Sequence, residues 1–369
     1  MIDLFKVHMN RDADQAVVDV LHSGYITQGP MVDRFEEKLS NVIGPTGLSH
    51  SRPILVNSCT SAIDLAFELC GVGPGDEVIS TPQTCFASNV GIIHRGARIR
   101  WADIDPLTGL IDPESISRRG LVNEKTKAII AVNWAGKFVD YKALKEYGVP
   151  VIEDAAHTWD SFIAGGAQPA RGDYVCYSLQ AIKFLTSGDG GILFTPKQQE
   201  NEARLLRWYG LDRTRNESFR ITQNIKQAGF KYNMNDIAAA IGIQNIPNAK
   251  SAVHAHRNNA RTLCKYIDNE HLTVLPFDET ASYWIFPVLV NDAGQREAFR
   301  HYLQDNMISA ALVHYRNDKY DSTLEFAEGV LPGVDYFTEH QLNLPCGWWL
   351  DAQEIFYIID VVNRWKPNA

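Results

Sequence analysis

TKAIIAVNWAGKFVDYKALKEYGVPVIEDAAH, residues 126–157, decides the fold class. TKAIIAVN is a nearly unbroken apolar run, as expected of a strand buried on both faces. VDYKALKEYG follows with helical spacing. VPVIEDAA is a second strand, with Val149, Val151 and Ile152 in its buried part and Glu153 and Asp154 at its carboxyl end. Upstream, the same alternation recurs. ILV (54–56), EVIST (77–81) and RIRWADID (98–105) read as strands, and TSAIDLAFELCG (60–71, closed by Gly71) and CFASNVGIIHRGA (85–97) as helices. VDRFEEKLSNVIG (32–44) is a helix with an apolar stripe at Val32, Phe35, Leu39 and Val42. The alternation predicts an open, mostly parallel α/β sheet, whose ligands sit beyond the carboxyl ends of the strands.

From about residue 246 the texture changes. A long polar helix, NAKSAVHAHRNNARTLCKYID (248–268), leads into short strands, YWIFPVLV (283–290) and ISAALVHY (308–315), alternating with helices. The expected division is a large domain at 1–245 and a smaller α+β domain at 246–369. The 369 residues suffice for two lobes, and the composition is that of a globular chain, 45% hydrophobic and 21% charged. A net charge of −9 argues against nucleic acid or an anionic membrane as the main partner, while leaving room for a local anion site. No apolar run reaches the roughly 18 residues of a membrane span. MIDLFKVHMNRDAD at the amino terminus lacks the apolar core of a signal peptide. The six cysteines are scattered without a CxxC pair, so reduced thiols and a cytoplasmic location are expected. Neither HExxH nor a Cys/His cluster is present, and no metal site is expected.

Three local features carry chemistry. Cys59-Thr60-Ser61-Ala62 opens a helix directly after a strand, and free backbone N–H groups there suit a phosphate or, more plainly, a cap for a core helix. Asp64 and Glu68 mark the wetter face of that helix. Asp154 could hold a cationic ring nitrogen or merely cap a turn. Lys183 stands in YSLQAIKFLTSGDGG (177–191), between a strand-like start and a glycine-bearing turn. A desolvated lysine amine there would attack carbonyls, whereas a surface lysine would do nothing. Together, a phosphate cradle, a carboxylate for a pyridine nitrogen and an amine for an aldehyde are the three handles of pyridoxal 5′-phosphate (PLP).

Seven segments in order then carry a resemblance over nearly the whole chain: SGYITQGPMVDRFEEKLS, NSCTSAIDLA, GVGPGDEVI, VIEDAAH, YSLQAIKFLTSGDGG, GFKYNMNDIAAAIG, and the VHY and NLPC pieces. They resemble the DegT-type nucleotide-sugar aminotransferases. The resemblance implies the aspartate aminotransferase (type I) PLP fold, with a mostly parallel seven-stranded sheet, and a homodimer with shared active sites. It makes Lys183 the lysine bound to the cofactor's aldehyde and the proton shuttle, and Asp154 the partner of the ring nitrogen. Backbone around Cys59 and Thr60, with the Ser178 hydroxyl, would hold the phosphate. His157 stands where the family usually has Gln, near the phenolic oxygen. Lys231 replaces the asparagine that the neighbouring subunit gives to the phosphate. Cys59 replaces a usual Gly. Cys85 occupies the position of an aromatic that covers the ring face, with Phe86 as the alternative. His314, Tyr315, Tyr209, Tyr25 and Gln28 are substrate candidates, with Arg213, Arg215 and Arg220 for a diphosphate, and Trp348 and Trp349 as possible covers.

The implied reaction moves an amino group from L-glutamate to a nucleotide-linked keto-sugar, by default a 4-keto-6-deoxyhexose, for surface polysaccharide or a glycosylated product. The alternatives are a PLP-dependent sugar dehydratase, whose tether lysine is replaced by histidine, and a PLP-fold regulator without turnover. An NAD-dependent oxidoreductase lacks its G-x-G-x-x-G after the first strand.

Overall fold

A computed structural model describes residues 1–43, 50–159, 171–213 and 222–367. Seven strands form the main sheet: β1 (Ile54–Val56), β2 (Glu77–Ser80), β3 (Arg98–Trp101), β4 (Thr126–Val132), β5 (Val151–Asp154), β6 (Tyr174–Ser178) and β7 (Gly191–Phe194). Their order is β1-β7-β6-β5-β4-β2-β3, and only β7 runs against the others. The expected mostly parallel sheet of seven strands is what forms. The apolar run of β4 is explained by its surroundings. Ala128 and Ile130 join one core, Ile129 and Ala131 another, so both faces of the strand are covered.

Helices α1 (Asp12–His22), α2 (Pro30–Ser40), α3 (Cys59–Leu69), α4 (Ala87–His94), α5 (Pro113–Arg118), α6 (Tyr141–Lys145) and α7 (Glu200–Leu206) surround the sheet. Caps set their starts. The Ser58 hydroxyl accepts the Ser61 amide at 3.1 Å, and Asp140 accepts the Ala143 amide at 3.0 Å. Gly71, at φ +70°, closes α3 as its sequence suggests. Helix α2 ends at Ser40, before the Val42 of the expected stripe, but Val32, Phe35 and Leu39 are fully buried.

Helix α8 (Asp236–Tyr266) then runs unbroken for 31 residues, with Pro247 inside it. Ala249, Ala252 and Val253 pack into the main core; Ala260 and Leu263 pack into a second one. A division between the cores therefore passes through this helix, beyond residue 246. The second core gathers β8 (Leu272–Thr273), β9 (Phe286–Val290) and β10 (Gln341–Leu344), an antiparallel sheet in the order β10-β9-β8. Helices α9 (Arg296–Asp305) and α11 (Ala352–Arg364) pack on it, while Val334 and Phe337 of α10 (Pro332–His340) return to the main core.

Two expectations fail for identifiable reasons. ISAALVHY is not a strand: Ile308 bridges Ile2 and Ala311 bridges Asn343, so the segment touches two neighbours without running along either. Val149 lies in the bend before β5 and is only half-buried. Asp64 and Glu68 do lie on the less buried face of α3, and Arg95 donates to both there, at 3.0 and 2.5 Å.

Strand β7 matters most for the site. Being antiparallel, it begins where its neighbours end, and Gly191 lies opposite both Val56 and Ser178. A Cβ at 191 would sit 2.5 Å from the Ser58 carbonyl oxygen and 2.7 Å from the Cys59 amide nitrogen. Gly191→Ala should therefore lower stability by about 1–3 kcal/mol, the usual cost of overpacking, and urea unfolding will read it. An unchanged midpoint would mean that this approach is not tight.

Candidate active site

The carboxyl ends of β5 and β6, the start of α3 and the turn after β6 meet at one crevice. Asp154 closes β5 and is buried. Its Oδ2 accepts the Ser88 hydroxyl at 2.7 Å and its Oδ1 accepts the Ala156 amide at 3.0 Å. Burial raises its proton affinity, opposed by those two bonds and by the charge of Lys183. Its neighbour Glu153 is absorbed elsewhere. Arg171 grips it at 2.6 and 2.9 Å, and Asn133 donates to it at 2.7 Å. Of the two carboxylates at this strand end, only Asp154 belongs to the crevice.

Lys183 follows β6 in a turn anchored by its own amide on the Gln180 carbonyl at 2.9 Å. Its Nζ lies 3.6 Å from the centroid of the Trp284 ring. Burial lowers its pKa from 10.5 to about 8, against the pull of Asp154 and, more weakly, Cys59 and Cys85. The amine is therefore protonated below about pH 8 and neutral above it. The indole N–H of Trp284 donates to the Ile182 carbonyl at 3.1 Å, fixing the ring beside the lysine. On the same ring His157 stacks at 3.9 Å, and His314 lies 5.8 Å from His157. Burial, then the Lys183 charge, pushes His157 well below its ordinary pKa and His314 down to about 4, so both are neutral at pH 7. His157 Nδ1 and His314 Nε2 are buried without hydrogen-bond partners.

Cys59 opens α3, and its thiol is pushed far up by burial and by Asp154. Thr60 and Ser178 are half-buried at the same end of the sheet, and the Ser178 hydroxyl accepts the Gln180 amide at 3.3 Å. Cys85 is exposed. Phe86 meets the Tyr320 ring edge-on at 5.2 Å, and Tyr315, also exposed, tilts against Tyr320 at 5.4 Å.

Other sequence candidates gather elsewhere in the chain. The Lys231 amine donates to Asn233 at 2.7 Å and lies 5.0 Å from the Trp208 ring, over which Arg213 stacks at 3.9 Å. Tyr209, exposed at φ +56°, is 6.0 Å from the same amine. Gln28, Arg207, Trp208 and Arg213 line a cavity of about 920 Å³. Gln28 is buried there with its Oε1 unpartnered, and Tyr25 is exposed. Arg215 and Arg220 lie outside the described residues. Trp349 donates to the Asp3 carbonyl at 3.1 Å and Trp348 packs edge-on against His8, so both hold the amino-terminal segment. Trp284 and Ser88 are the crevice residues that sequence reasoning missed. Trp284 looks like strand filling in YWIFPVLV, and only the need of a buried carboxylate for donors pointed toward a residue such as Ser88.

Among the described residues no helix is long and apolar enough to cross a membrane, and no cluster of His, Cys, Asp or Glu could hold a metal ion.

The sequence profile of the DegT/DnrJ/EryC1/StrS aminotransferase family matches residues 7–363. The chain is similar in structure to the sugar aminotransferase CalS13 from Micromonospora echinospora, with a TM-score of 0.88, 30% identity, and 99% and 100% of the two chains covered. AtS13 from Actinomadura melliaura gives a TM-score of 0.88 at 34% identity over 98% of both chains. The spore coat polysaccharide biosynthesis protein SpsC of Bacillus subtilis is 32% identical over 247 residues, 64% of this chain and 62% of SpsC.

The depressed lysine is open to direct measurement. Acetic anhydride labelling of the apoprotein, mapped by peptide, should give Lys183 a half-maximal pH near 8. Exposed lysines should titrate near about 10.4. A Lys183 midpoint among the surface lysines would refute its desolvation.

Proposed function

Because the chain belongs to the DegT/DnrJ/EryC1/StrS aminotransferase family, we propose that it transfers an amino group from L-glutamate to a nucleotide-linked keto-sugar, with a 4-keto-6-deoxyhexose as the leading substrate class. The family's cofactor is PLP, which when bound supplies an electron-withdrawing ring that makes the hydrogen on an amine-bearing carbon acidic. The observation that carries the reading is the meeting of a buried carboxylate, a desolvated lysine amine and a helix amino terminus in one crevice. This donor set fits the cofactor. Asp154 has acceptor capacity left beyond its two bonds, and the unpartnered nitrogens of His157 and His314 have capacity for cofactor and substrate.

In this reading Lys183 Nζ would hold the cofactor at its aldehyde carbon, with loss of water, and its freed amine would take the proton from the α-carbon of the donor. A pKa near 8 leaves part of the amine neutral at working pH, as both tasks require. Asp154 accepts from the ring N–H and keeps that nitrogen charged. The first-turn amides around Cys59 and Thr60, with the Ser178 hydroxyl, hold the phosphate. His157 is assigned to the phenolic oxygen as a neutral donor, and Cys85 to the ring face. His314, Tyr315, Tyr25, Gln28 and Tyr209 are assigned to the sugar nucleotide. The reading includes a homodimer in which Lys231 serves the phosphate of the second subunit. Exposed Val18, Leu21, Tyr25 and Ile26 on the amino-terminal arm support a covered face there. The sugar aminotransferase CalS13 and the polysaccharide protein SpsC support a sugar substrate destined for a glycan.

Borohydride treatment of the PLP-loaded protein, followed by peptide mapping, should place the label on Lys183. A label on another lysine overturns the assignment. Lys183→Ala should lower turnover by roughly 10²–10⁴-fold or more. The wild type should release stoichiometric 2-oxoglutarate from glutamate alone, before any sugar is added.

A further inference from the structure

Asp154 is a buried carboxylate that, among the described residues, has no arginine or lysine in hydrogen-bonding contact; hydroxyl and amide donors hold it instead. The donor on Oδ2, Ser88, is itself backed by a second hydroxyl. Thr84 Oγ1 lies 2.8 Å from Ser88 Oγ. The direction of this chain follows from inventory. An ionised carboxylate only accepts, so the single Ser88 hydrogen goes to Asp154 and Thr84 must donate to Ser88. Thr84, Ser88 and Asn89 are buried, and water does not compete for them. The relay is also clamped from the second half of the chain. Asn317 Nδ2 donates to the Thr84 carbonyl at 2.9 Å, and Asn317 Oδ1 accepts from Asn89 Nδ2 at 2.8 Å. Asn317, fully buried, thus holds both ends of the turn that aims Ser88.

We propose that Ser88, aimed and polarised by Thr84, is the positioning residue that decides where the proton rests between Asp154 and the cofactor's ring nitrogen. The proposal rests on the assignment of Asp154 to that nitrogen. Each hydrogen bond given to a carboxylate makes it a weaker base. With Ser88 donating, the proton stays on the ring nitrogen and Asp154 stays an anion. Without it, Oδ2 gains basicity and the proton moves toward Asp154, weakening the charge-assisted pair. Backing by Thr84 strengthens the Ser88 bond, since hydrogen bonds in a chain polarise one another.

The test loads PLP labelled with ¹⁵N in the ring into wild type, Ser88→Ala, Ser88→Thr, Thr84→Val and Asp154→Asn. The ring nitrogen is read by NMR, and PLP affinity by titration of the apoprotein. Wild type should show a protonated nitrogen. Ser88→Ala should shift the signal toward the unprotonated position and weaken PLP binding about tenfold, the usual loss for one hydrogen bond to a charged group. Ser88→Thr should restore both, and Thr84→Val should give a smaller shift in the same direction. Melting curves of the apoproteins identify any variant that fails to fold, in which case Ser88→Thr and Thr84→Val carry the comparison. If Asp154→Asn moves the nitrogen signal and Ser88→Ala does not, the relay is overturned. If Asp154→Asn itself leaves the signal unchanged, the underlying assignment of Asp154 fails instead.

Discussion

The contact between Gly191 and the turn Ser58–Cys59 is the constraint on which the crevice depends. Strand β7 is inserted, reversed, between β1 and β6. That reversal brings its first residue against the amino terminus of α3, where a Cβ would force the Ser58–Cys59 backbone to shift. The close approach places the free amides of α3 beside the end of β6, and the turn bearing Lys183 connects β6 to β7 across the same spot. Asp154, one strand over, completes the edge. One backbone distance thus sets the spacing of three chemically distinct groups.

Electrostatics then tune what geometry assembles. Burial disfavours the charged form of both central groups, so it lowers the pKa of Lys183 and raises that of Asp154. The lysine is left close to the pH at which it can both lose and regain a proton. The carboxylate is held by two neutral donors and, at a distance, by the charge of Lys183, which leaves acceptor positions for a ligand. The two imidazoles on and beside Trp284 are kept neutral by the same burial. The result is a crevice crowded with ionisable groups yet carrying little net charge.

The sheet was legible because its signal is local. Unbroken apolar runs, cap residues and glycine stops all act within a few positions, and β4, β5 and α3 follow from them. Lys183 and Asp154 were legible because each sits beside a recognisable strand end or turn. What was hidden depends on distance along the chain. Ser88 reaches Asp154 across 66 residues and Trp284 reaches Ile182 across 102, and no window holds both partners. The same reason hides the partner of Asp64 and Glu68: Arg95, 31 and 27 residues on, pairs with both on the less buried face of α3. ISAALVHY has strand composition, but pairing is decided by its neighbours, and two different ones divide it.

Helix α8 has a mechanical meaning beyond its packing. Its first half is built into one core and its second half into the other, with no break between. Loss of the smaller core would strip the distal turns of their apolar cover, and an unsupported helical half frays toward its anchored end. Unravelling there would propagate to Ala249, Ala252 and Val253, inside the larger core. The two cores thus share one continuous element, so that damage to the smaller one reaches the larger through the backbone of a single helix.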